Sequence, residues 1–301
     1  MPDRIPVVIL EDFIRVLAEY YELEGRHGMP WRQAAAGGEF EPYRILVSEL
    51  MLQQTQVARV ELKFAAFLER FKTVQDLAAA PLADVLVLWS GLGYNRRAKF
   101  LWQAAQVVVT DYGGEFPRTP DDLCCLPGVG PGTAGAIMAY AYDQPVVYLE
   151  TNIRTVLIHH FFKDQASIPD AALRETLAEI VKTLPAPPDD APLSKPFTEY
   201  FTDNRYPFTA RTFYWAMMDY GSYLKKTIGN LSRASKSYAK QSRFEGSRRQ
   251  IRGAVLRLLA AQSMTVSELT RHFPDPRTPA VLDDLAAEHL VVRTGDIYAL
   301  G

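Results

Sequence analysis

The stretch LPGVGPGTAGAI, residues 126–137, carries three glycines and two prolines in its first seven positions and then continues with small residues typical of a helix. Glycine tolerates positive φ and lets the backbone approach another molecule closely. The first amides of a helix have no partner within that helix. A glycine turn that leads into a helix therefore favours binding of an anion by backbone N–H groups. A tight connection between two helices is the alternative, because short glycine motifs also occur by chance.

The rest of the chain indicates an all-α protein. Apolar residues recur at helical spacing along most of its 301 residues, as at Leu173, Leu177 and Ile180, and strict alternation appears only near the end. The length predicts one two-lobed domain or a domain with an appendage. A net charge of −2 and 48% hydrophobic residues are ordinary for a globular protein and do not indicate a polyanion partner. No apolar run reaches the length of a membrane span, so we expect no membrane contact and a cytoplasmic location.

The chain has two cysteines, Cys124 and Cys125, and they are adjacent. Neighbouring cysteines have poor geometry for a structural disulfide, and two are too few to hold a cluster. We therefore expect two buried thiols and no metal site.

Residues 225–257 contain ten basic residues and a single acidic one, Glu245. This segment is either a solvated linker or a strap that contacts phosphates. The residues after it, 251–301, are predicted to form three helices and an alternating ribbon, an order that resembles a winged helix-turn-helix. Thr265 is placed to cap the second helix, and residues 294–296 to turn the ribbon. Acidic residues on the third helix, such as Glu288, would repel DNA phosphates if that helix entered a groove. A packing or protein-contact role and a DNA-reading role are therefore both open for this module.

Four stretches in a fixed order carry a resemblance to a known family. They are PWRQAAAGGEFEPYRILVSELMLQQTQVARV, LWSGLGYNRRAKFLWQAAQ, LPGVGPGTAGAIMAYAY and VVYLETNIRTV. Over about residues 28–224 the chain resembles the helix-hairpin-helix (HhH-GPD) DNA glycosylases, and among them the MutY-type adenine glycosylases. The resemblance implies an all-α, two-lobed glycosylase domain over 1–224. The basic strap over 225–250 and the winged-helix-like domain over 251–301, which the charge and the residue pattern predict, follow it. The resemblance also implies double-stranded DNA with a mispaired or damaged base as the partner, a monomer and a place at the nucleoid.

The resemblance assigns DNA-contacting residues in the glycine turn and two other loops. The amides of Val129, Gly130 and Gly132 would hold a phosphate, which explains the missing side chains. Gln54 and Tyr94 would fill the space left by the flipped base. The purely structural alternatives are that Gln54 forms a hydrogen bond to a neighbouring loop and that the half-buried Tyr94 side chain only packs against its neighbours. The other expected DNA contacts are two basic residues near Tyr94, Arg96 and Arg97, and two in the strap, Arg248 and Arg249.

The resemblance also assigns two carboxylates to catalysis. Glu49, on an apolar helix face that would favour its protonated form, matches the glutamate that protonates the departing adenine. Glu150 stands where the family has aspartate, and Asn152 matches a residue that orients that carboxylate. A displacement of about 1 Å can cost on the order of a hundredfold in rate. Glu150 is therefore a working stabiliser or nucleophile, serves an altered substrate, or marks lost activity.

Three departures from the family pattern narrow the prediction. Bifunctional relatives have a lysine at the position of Gly132, so no lyase chemistry is expected. No cysteine follows Cys125, so we expect neither an iron–sulfur cluster nor any other cofactor. A Nudix-like domain that reads 8-oxoguanine is also missing. Excision of adenine from a mispair is the leading prediction, and 8-oxoguanine is one candidate for the opposite base. Removal of another base, such as uracil, thymine, hypoxanthine or an alkylated purine, and catalytically idle lesion binding are the alternatives.

Overall fold

The computed structural model describes residues 5–35, 38–163, 165–184, 208–238 and 243–301, and most of them lie in helices. The helices are α1 Val7–Glu24, α2 Pro42–Leu52, α3 Val57–Arg70, α4 Val74–Ala79, α5 Leu82–Trp89, α6 Arg96–Asp111, α7 Pro120–Cys124, α8 Pro131–Tyr140, α9 Thr151–Phe161, α10 Asp170–Val181, α11 Ala210–Thr227, α12 Arg248–Leu259, α13 Val266–His272 and α14 Thr278–Ala287. Short 3-10 turns span Pro30–Arg32 and Leu231–Ala234. The strands are β1 Met264–Thr265, β2 Val291–Thr294 and β3 Ile297–Leu300. In the described part of the predicted all-α glycosylase portion, the named elements are all helices or 3-10 turns.

The chain divides into two units, and the first comprises Met1–Ile45, Arg118–Asp121 and Gly130–Lys240. Helix α11 lies at the centre of this unit, where it packs against α1, α8 and α9. Gly221 makes the contact with α9 possible, because a Cβ there would lie 2.5 Å from the Asn152 carbonyl oxygen. Arg211 binds the C-terminal end of α8, where its Nε donates to the Tyr140 carbonyl at 2.6 Å. A cation at this end complements the helix dipole.

A buried ion cluster ties α11 to the N-terminal part of the first unit. The Asp219 carboxylate is fully buried and accepts from Arg32 Nη1 at 2.7 Å and from the backbone N–H of Arg26 at 2.7 Å. Arg32 also lies 5.4 Å from the centre of the Trp215 ring. These bonds fix the path of residues 26–32 over α11. The cluster is costly to break, because removal of either partner would leave an uncompensated buried charge.

The second unit comprises Leu46–Pro117, Asp122–Val129 and Gln241–Gly301. Its aromatic core contains Phe64, Phe67, Phe71 and Trp89, all fully buried. The C-terminal elements form a three-stranded antiparallel sheet with strand order β1-β3-β2, and α5 packs on β3. The predicted cap is confirmed, since Thr265 and Glu268 form a reciprocal capping box at α13. The predicted turn is confirmed as well, with Gly295 at φ +61° between β2 and β3.

Two expectations about residues 124–133 need correction. Cys124 and Cys125 are exposed rather than buried. They lie between Leu123 and Leu126, which take the inward positions at the end of α7. Helix α8 begins at Pro131 instead of near Thr133, because the ring of a proline at the first position fixes φ at a helical value.

Among the described residues, no helix combines the length and apolar character required to cross a bilayer.

Candidate functional site

The glycine turn is built on two buried apolar side chains. Leu126 and Val129 are buried, and the Val129 N–H donates to the Leu126 carbonyl at 3.1 Å. Gly128 has φ +77°, and a Cβ there would lie 2.6 Å from Cβ of Phe100. Position 128 therefore requires glycine both for its backbone conformation and for the space beside Phe100.

The start of α8 offers backbone donors to an anion. Gly130 is the N-cap residue and Gly132 the second residue of the helix, and both are exposed. Amides at this end point away from the helix along the positive end of its dipole, so they are suited to a phosphate. Val129 differs from the sequence prediction, because its amide already donates within the turn. The phosphate contacts of Gly130 and Gly132 stay a prediction.

Glu150 is the N-cap residue of α9, and its carboxylate is held by backbone amides. Oε1 accepts from the N–H of Asn152 at 2.5 Å and from that of Ile153 at 2.8 Å. Burial raises the pKa of Glu150 above its ordinary value, although these two amide bonds and the charges of Lys225 and Arg154 oppose the rise. Glu150 is half-buried, so a positive charge that developed beside this carboxylate would be screened by less water than in bulk solvent.

The Asn152 side chain is directed at α11. Its Oδ1 accepts from Lys225 Nζ at 3.3 Å, and its Nδ2 lies 3.8 Å from Met218 Sδ. Glu150 is therefore oriented by the backbone N–H of Asn152 rather than by its carboxamide. Sequence reasoning placed Lys225 in the basic strap and missed it here. Lys225 lies one helical turn after Gly221, where α11 must approach another backbone. That spacing is the sequence signal that could have placed Lys225 near Asn152.

Glu49 lies in the last turns of α2, half-buried between the buried residues Ser48 and Leu50. Its backbone carbonyl accepts from the N–H of Gln53 at 3.2 Å. The helix thus presents Glu49 directly before the loop that carries Gln54. This placement agrees with the sequence expectation of an acid on an otherwise apolar helix.

Arg97 is where the structure departs most from the sequence prediction, which made it a DNA contact. Its side chain is buried, with the residue only 8% exposed. The guanidinium donates to the carbonyls of Gln53 at 2.6 Å and Gly93 at 3.1 Å and to Thr55 Oγ1 at 3.1 Å. Burial lowers the pKa of Arg97 to about 10, so the group stays charged at neutral pH. Its donors face the protein interior, and the geometry makes Arg97 a positioning residue for two loops instead of a DNA contact.

Those two loops carry Gln54 and Tyr94, and both residues have left-handed backbones. Gln54 has φ +55° and Tyr94 has φ +47°. Non-glycine residues in this region are uncommon and persist only where neighbouring structure fixes them. The Arg97 bonds to both loops supply that support. Gln54 is exposed and Tyr94 is half-buried, so each is accessible at the surface of the second unit.

Two guanidinium groups lie close to the Tyr94 ring. Arg97 is 5.3 Å and Arg249 is 5.2 Å from the centre of its ring, and Arg249 Nη1 also binds the Tyr94 hydroxyl. Cation–π contacts of this kind favour a fixed ring position. Helix α12 therefore brings a residue of the predicted basic strap to a loop that is more than a hundred residues earlier in the chain.

The other predicted cations, Arg96 and Arg248, are exposed but paired with acidic residues of α14 and the residue after it. Arg248 forms an ion pair with Asp284 and donates to the Ala280 carbonyl at 3.1 Å. Arg96 Nε lies 3.9 Å from the Glu288 carboxylate, which also binds Arg252 at 2.5 Å. The acidic residues Asp284 and Glu288 thus form ion pairs inside the second unit. DNA contacts by Arg96 and Arg248 stay predictions.

Comparison with known proteins decides the family. A model of the HhH-GPD superfamily of base excision DNA repair proteins matches residues 47–183. An adenine DNA glycosylase of Mycolicibacterium smegmatis is 32% identical, and the match covers 93% of this chain and 92% of that protein. The chain belongs to the HhH-GPD superfamily. Within it, the similarity along nearly the whole length places the chain in the adenine DNA glycosylase family.

Other relatives of this HhH-GPD protein match over a shorter part. The human adenine DNA glycosylase is 42% identical, but the match covers 47% of this chain and 26% of that protein. The corresponding figures for Mus musculus are 43%, 47% and 28%. The chain therefore spans only about a quarter of these longer proteins.

Solved structures agree on the fold. A thermostable thymine-DNA glycosylase superposes with TM-score 0.54 and 23% identity, covering 71% of this chain and 86% of that one. The 3-methyladenine DNA glycosylase of H. pylori gives TM-score 0.50 and 14% identity, covering 72% and 98%. At these identities the likeness shows the helical glycosylase fold alone.

Proposed function

We propose that this chain is a monofunctional DNA N-glycosylase of base excision repair that hydrolyses the bond between adenine and deoxyribose in a mispair. The observation that carries the proposal is the Glu150 carboxylate, held by two amides at the start of α9 beside the charge of Lys225. The near full-length similarity to an adenine DNA glycosylase supports adenine as the base. We also propose that the protein acts as a monomer at the nucleoid, without a metal or cluster.

Loss of a base from deoxyribose requires charge to be managed at both ends of the breaking bond. The departing adenine must gain a proton, and the sugar develops positive charge. Glu49 is the proposed acid, supported by its half-buried place on α2. A proton passes from its carboxyl group to the adenine ring as the bond breaks.

Glu150 is the proposed stabiliser of the positive sugar. Burial raises its pKa, because the ionised form is poorly solvated there. An adjacent cation is therefore stabilised more by this carboxylate than by one in water. Water then adds to the sugar, the proton that it loses returns to the Glu49 carboxylate, and an abasic site is left. Gly132 stands where a lysine would have to form a Schiff base, which supports hydrolysis without strand cleavage.

Binding is assigned to backbone and wedge residues on the surface of the protein. The amides of Gly130 and Gly132 hold a phosphate of the target strand. Gln54 and Tyr94 replace the flipped base in the stack. We further propose that the C-terminal elements from α12 to β3 are a winged-helix-like module, since helix, strand, two helices and a hairpin occur in that order.

The test is a panel of labelled duplexes, each with one adenine opposite guanine, cytosine or 8-oxoguanine, or with uracil, thymine, hypoxanthine or an alkylated purine. Abasic sites are revealed by alkali. The wild type and the exposed control variant Glu69→Gln should release adenine from a mispair, and Glu49→Gln and Glu150→Gln should not. Tight binding without release of any base would favour an idle lesion binder. Preferred release of another base would overturn adenine as substrate, and cleavage without alkali would contradict the role given to Gly132.

A further inference from the structure

Helix α1 has two apolar faces. The inner face packs in the first unit and consists of buried residues spaced by three or four positions: Leu10, Phe13, Leu17 and Tyr21. The outer face carries Ile9, Val16 and Leu23, whose exposure ranges from 39% for Val16 to 80% for Leu23. These three residues are seven positions apart, so they lie nearly in line over about 21 Å of the helix.

Two tyrosines extend this line of apolar residues. Tyr20 is half-buried and lies one helical turn after Val16 and one turn before Leu23. Its ring centre is 5.6 Å from that of Tyr223 on α11, which is itself exposed. We call Ile9, Val16, Tyr20, Leu23 and Tyr223 the outer patch. Because the outer face of a surface helix is normally polar, an apolar surface across two helices marks an interaction site.

The helix that carries most of the outer patch is strongly acidic. Residues 7–24 contain one basic residue, Arg15, and five exposed acidic ones: Glu11, Asp12, Glu19, Glu22 and Glu24. Arg15 is paired within the helix, with Asp12 at 2.9 Å and with Glu19 at 3.4 Å. The next two arginines of the chain belong to the buried ion cluster around Asp219. The outer patch is therefore bordered by negative charge, in a chain whose net charge is only −2.

This charge selects what covers the outer patch. The carboxylates of α1 repel the phosphates of DNA, so the patch does not face a nucleic acid. A second copy of the chain would bring another acidic α1 against the first, and like charges across an interface oppose association. A partner surface with apolar residues between basic ones complements both the stripe and the carboxylates.

We propose that the outer patch docks a cationic amphipathic helix of a partner protein. The apolar residues of that helix pack along Ile9, Val16 and Leu23, as in helix pairs whose contacts repeat every seven residues. Its lysines or arginines pair with the carboxylates beside the stripe. Because this face repels DNA, the partner and DNA use different surfaces, and both bind the protein at the same time.

A designed peptide serves as the probe for this surface. It has 18 residues, the length of α1, with leucine at two positions of each heptad and lysine at the flanking positions. The full chain is titrated with this peptide in the absence of DNA, and binding is followed by fluorescence anisotropy. Wild type should bind the lysine peptide, and more weakly as salt is raised. A peptide with glutamate at every lysine position should not bind.

Matched substitutions locate the binding surface. Val16→Gln combined with Leu23→Gln removes two apolar contacts and should lower affinity about tenfold or more. Leu62→Gln is the control, because Leu62 is also 80% exposed but lies in the second unit, and it should leave the affinity unchanged. Glu19→Gln combined with Glu22→Gln should weaken binding and reduce its salt dependence. All of these side chains are exposed, so each variant should keep the wild-type Tm and DNA affinity.

The outcomes that contradict the proposal are distinct. Equal affinity of wild type and the Val16→Gln, Leu23→Gln variant would overturn it, and so would equal binding of the glutamate peptide. Sedimentation of the chain as a dimer that this variant dissociates would place a second copy on the outer patch instead. Hydrogen exchange gives an independent readout, since bound peptide should slow exchange within residues 7–24. Protection confined to other parts of the chain would exclude α1 as the docking site.

Discussion

Lys225 Nζ lies 3.3 Å from Oδ1 of Asn152 and donates a hydrogen bond to it. The two residues lie on α11 and α9, which pack at the centre of the first unit. Asn152 also donates its backbone N–H to the Glu150 carboxylate. One lysine therefore both fixes the residue that holds Glu150 and adds a positive charge that favours ionised Glu150.

Replacement of this lysine should shift the pH dependence of base release. Lys225→Gln removes a charge that lowers the Glu150 pKa, so that pKa should rise further and the acid limb of the base-release rate should move to higher pH. Single-turnover rates between pH 5 and 8 measure the limb. Lys226→Gln, one residue later and exposed, is the matched control and should leave it in place. An unchanged limb in both variants would remove Lys225 from the ionisation of Glu150.

Glu150 should be costly to stability when it is ionised. Its folded-state pKa is raised, so its contribution is fully present at low pH and is lost as pH rises through that pKa. Glu150→Gln keeps an oxygen for the amides of α9 without the charge. Its Tm should exceed that of wild type by a few degrees at pH 7.5, and the gain should vanish in acid. Glu175→Gln, an exposed change on α10, should show no such gain.

The extra methylene of Glu150 provides a separate test of fit. Aspartate is among the most favoured N-cap residues, so Glu150→Asp should not lower stability. It would withdraw the carboxylate by about 1 Å, which predicts a loss of roughly tenfold to a hundredfold in kcat if the site is adjusted to glutamate. Single-turnover rates with unchanged DNA affinity measure this. A faster Asp variant would show that glutamate is a poor substitute at this position.

Arg97 should be important for stability, unlike its neighbour Arg96. Arg97→Met removes the donors of several buried carbonyls at once, and we expect a loss of about 3 kcal/mol or more in the free energy of unfolding. Arg97→Lys should recover little, because one ammonium group cannot bind both loops. Arg96 is 63% exposed on its side chain, and Arg96→Ala should cost less than about 0.5 kcal/mol. Urea denaturation measures all three variants.

The contrast between Arg96 and Arg97 shows where sequence reasoning stops. Local pattern was sufficient for the helical fold, the glycine turn and the Thr265 cap. It could not distinguish two adjacent arginines, because burial of Arg97 depends on carbonyls near residues 50–55 that only the tertiary structure brings to it. The exposure of Cys124 and Cys125 was a local miss, since Leu123 and Leu126 already occupied the inward positions.

The glycine turn allows folding and DNA binding to be separated by two substitutions of the same size. At Gly128, φ +77° and the contact with Phe100 oppose a Cβ, so Gly128→Ala should lower stability by about 1–3 kcal/mol. At Gly130, φ is −98° and no atom lies within 4 Å of a Cβ, so Gly130→Ala should fold as well as wild type. Its exposed methyl group would nevertheless stand beside the amides assigned to phosphate, and DNA affinity should fall about tenfold. Thermal unfolding and duplex titration of both variants measure these effects, and an unchanged affinity of Gly130→Ala would remove the start of α8 from the DNA contact.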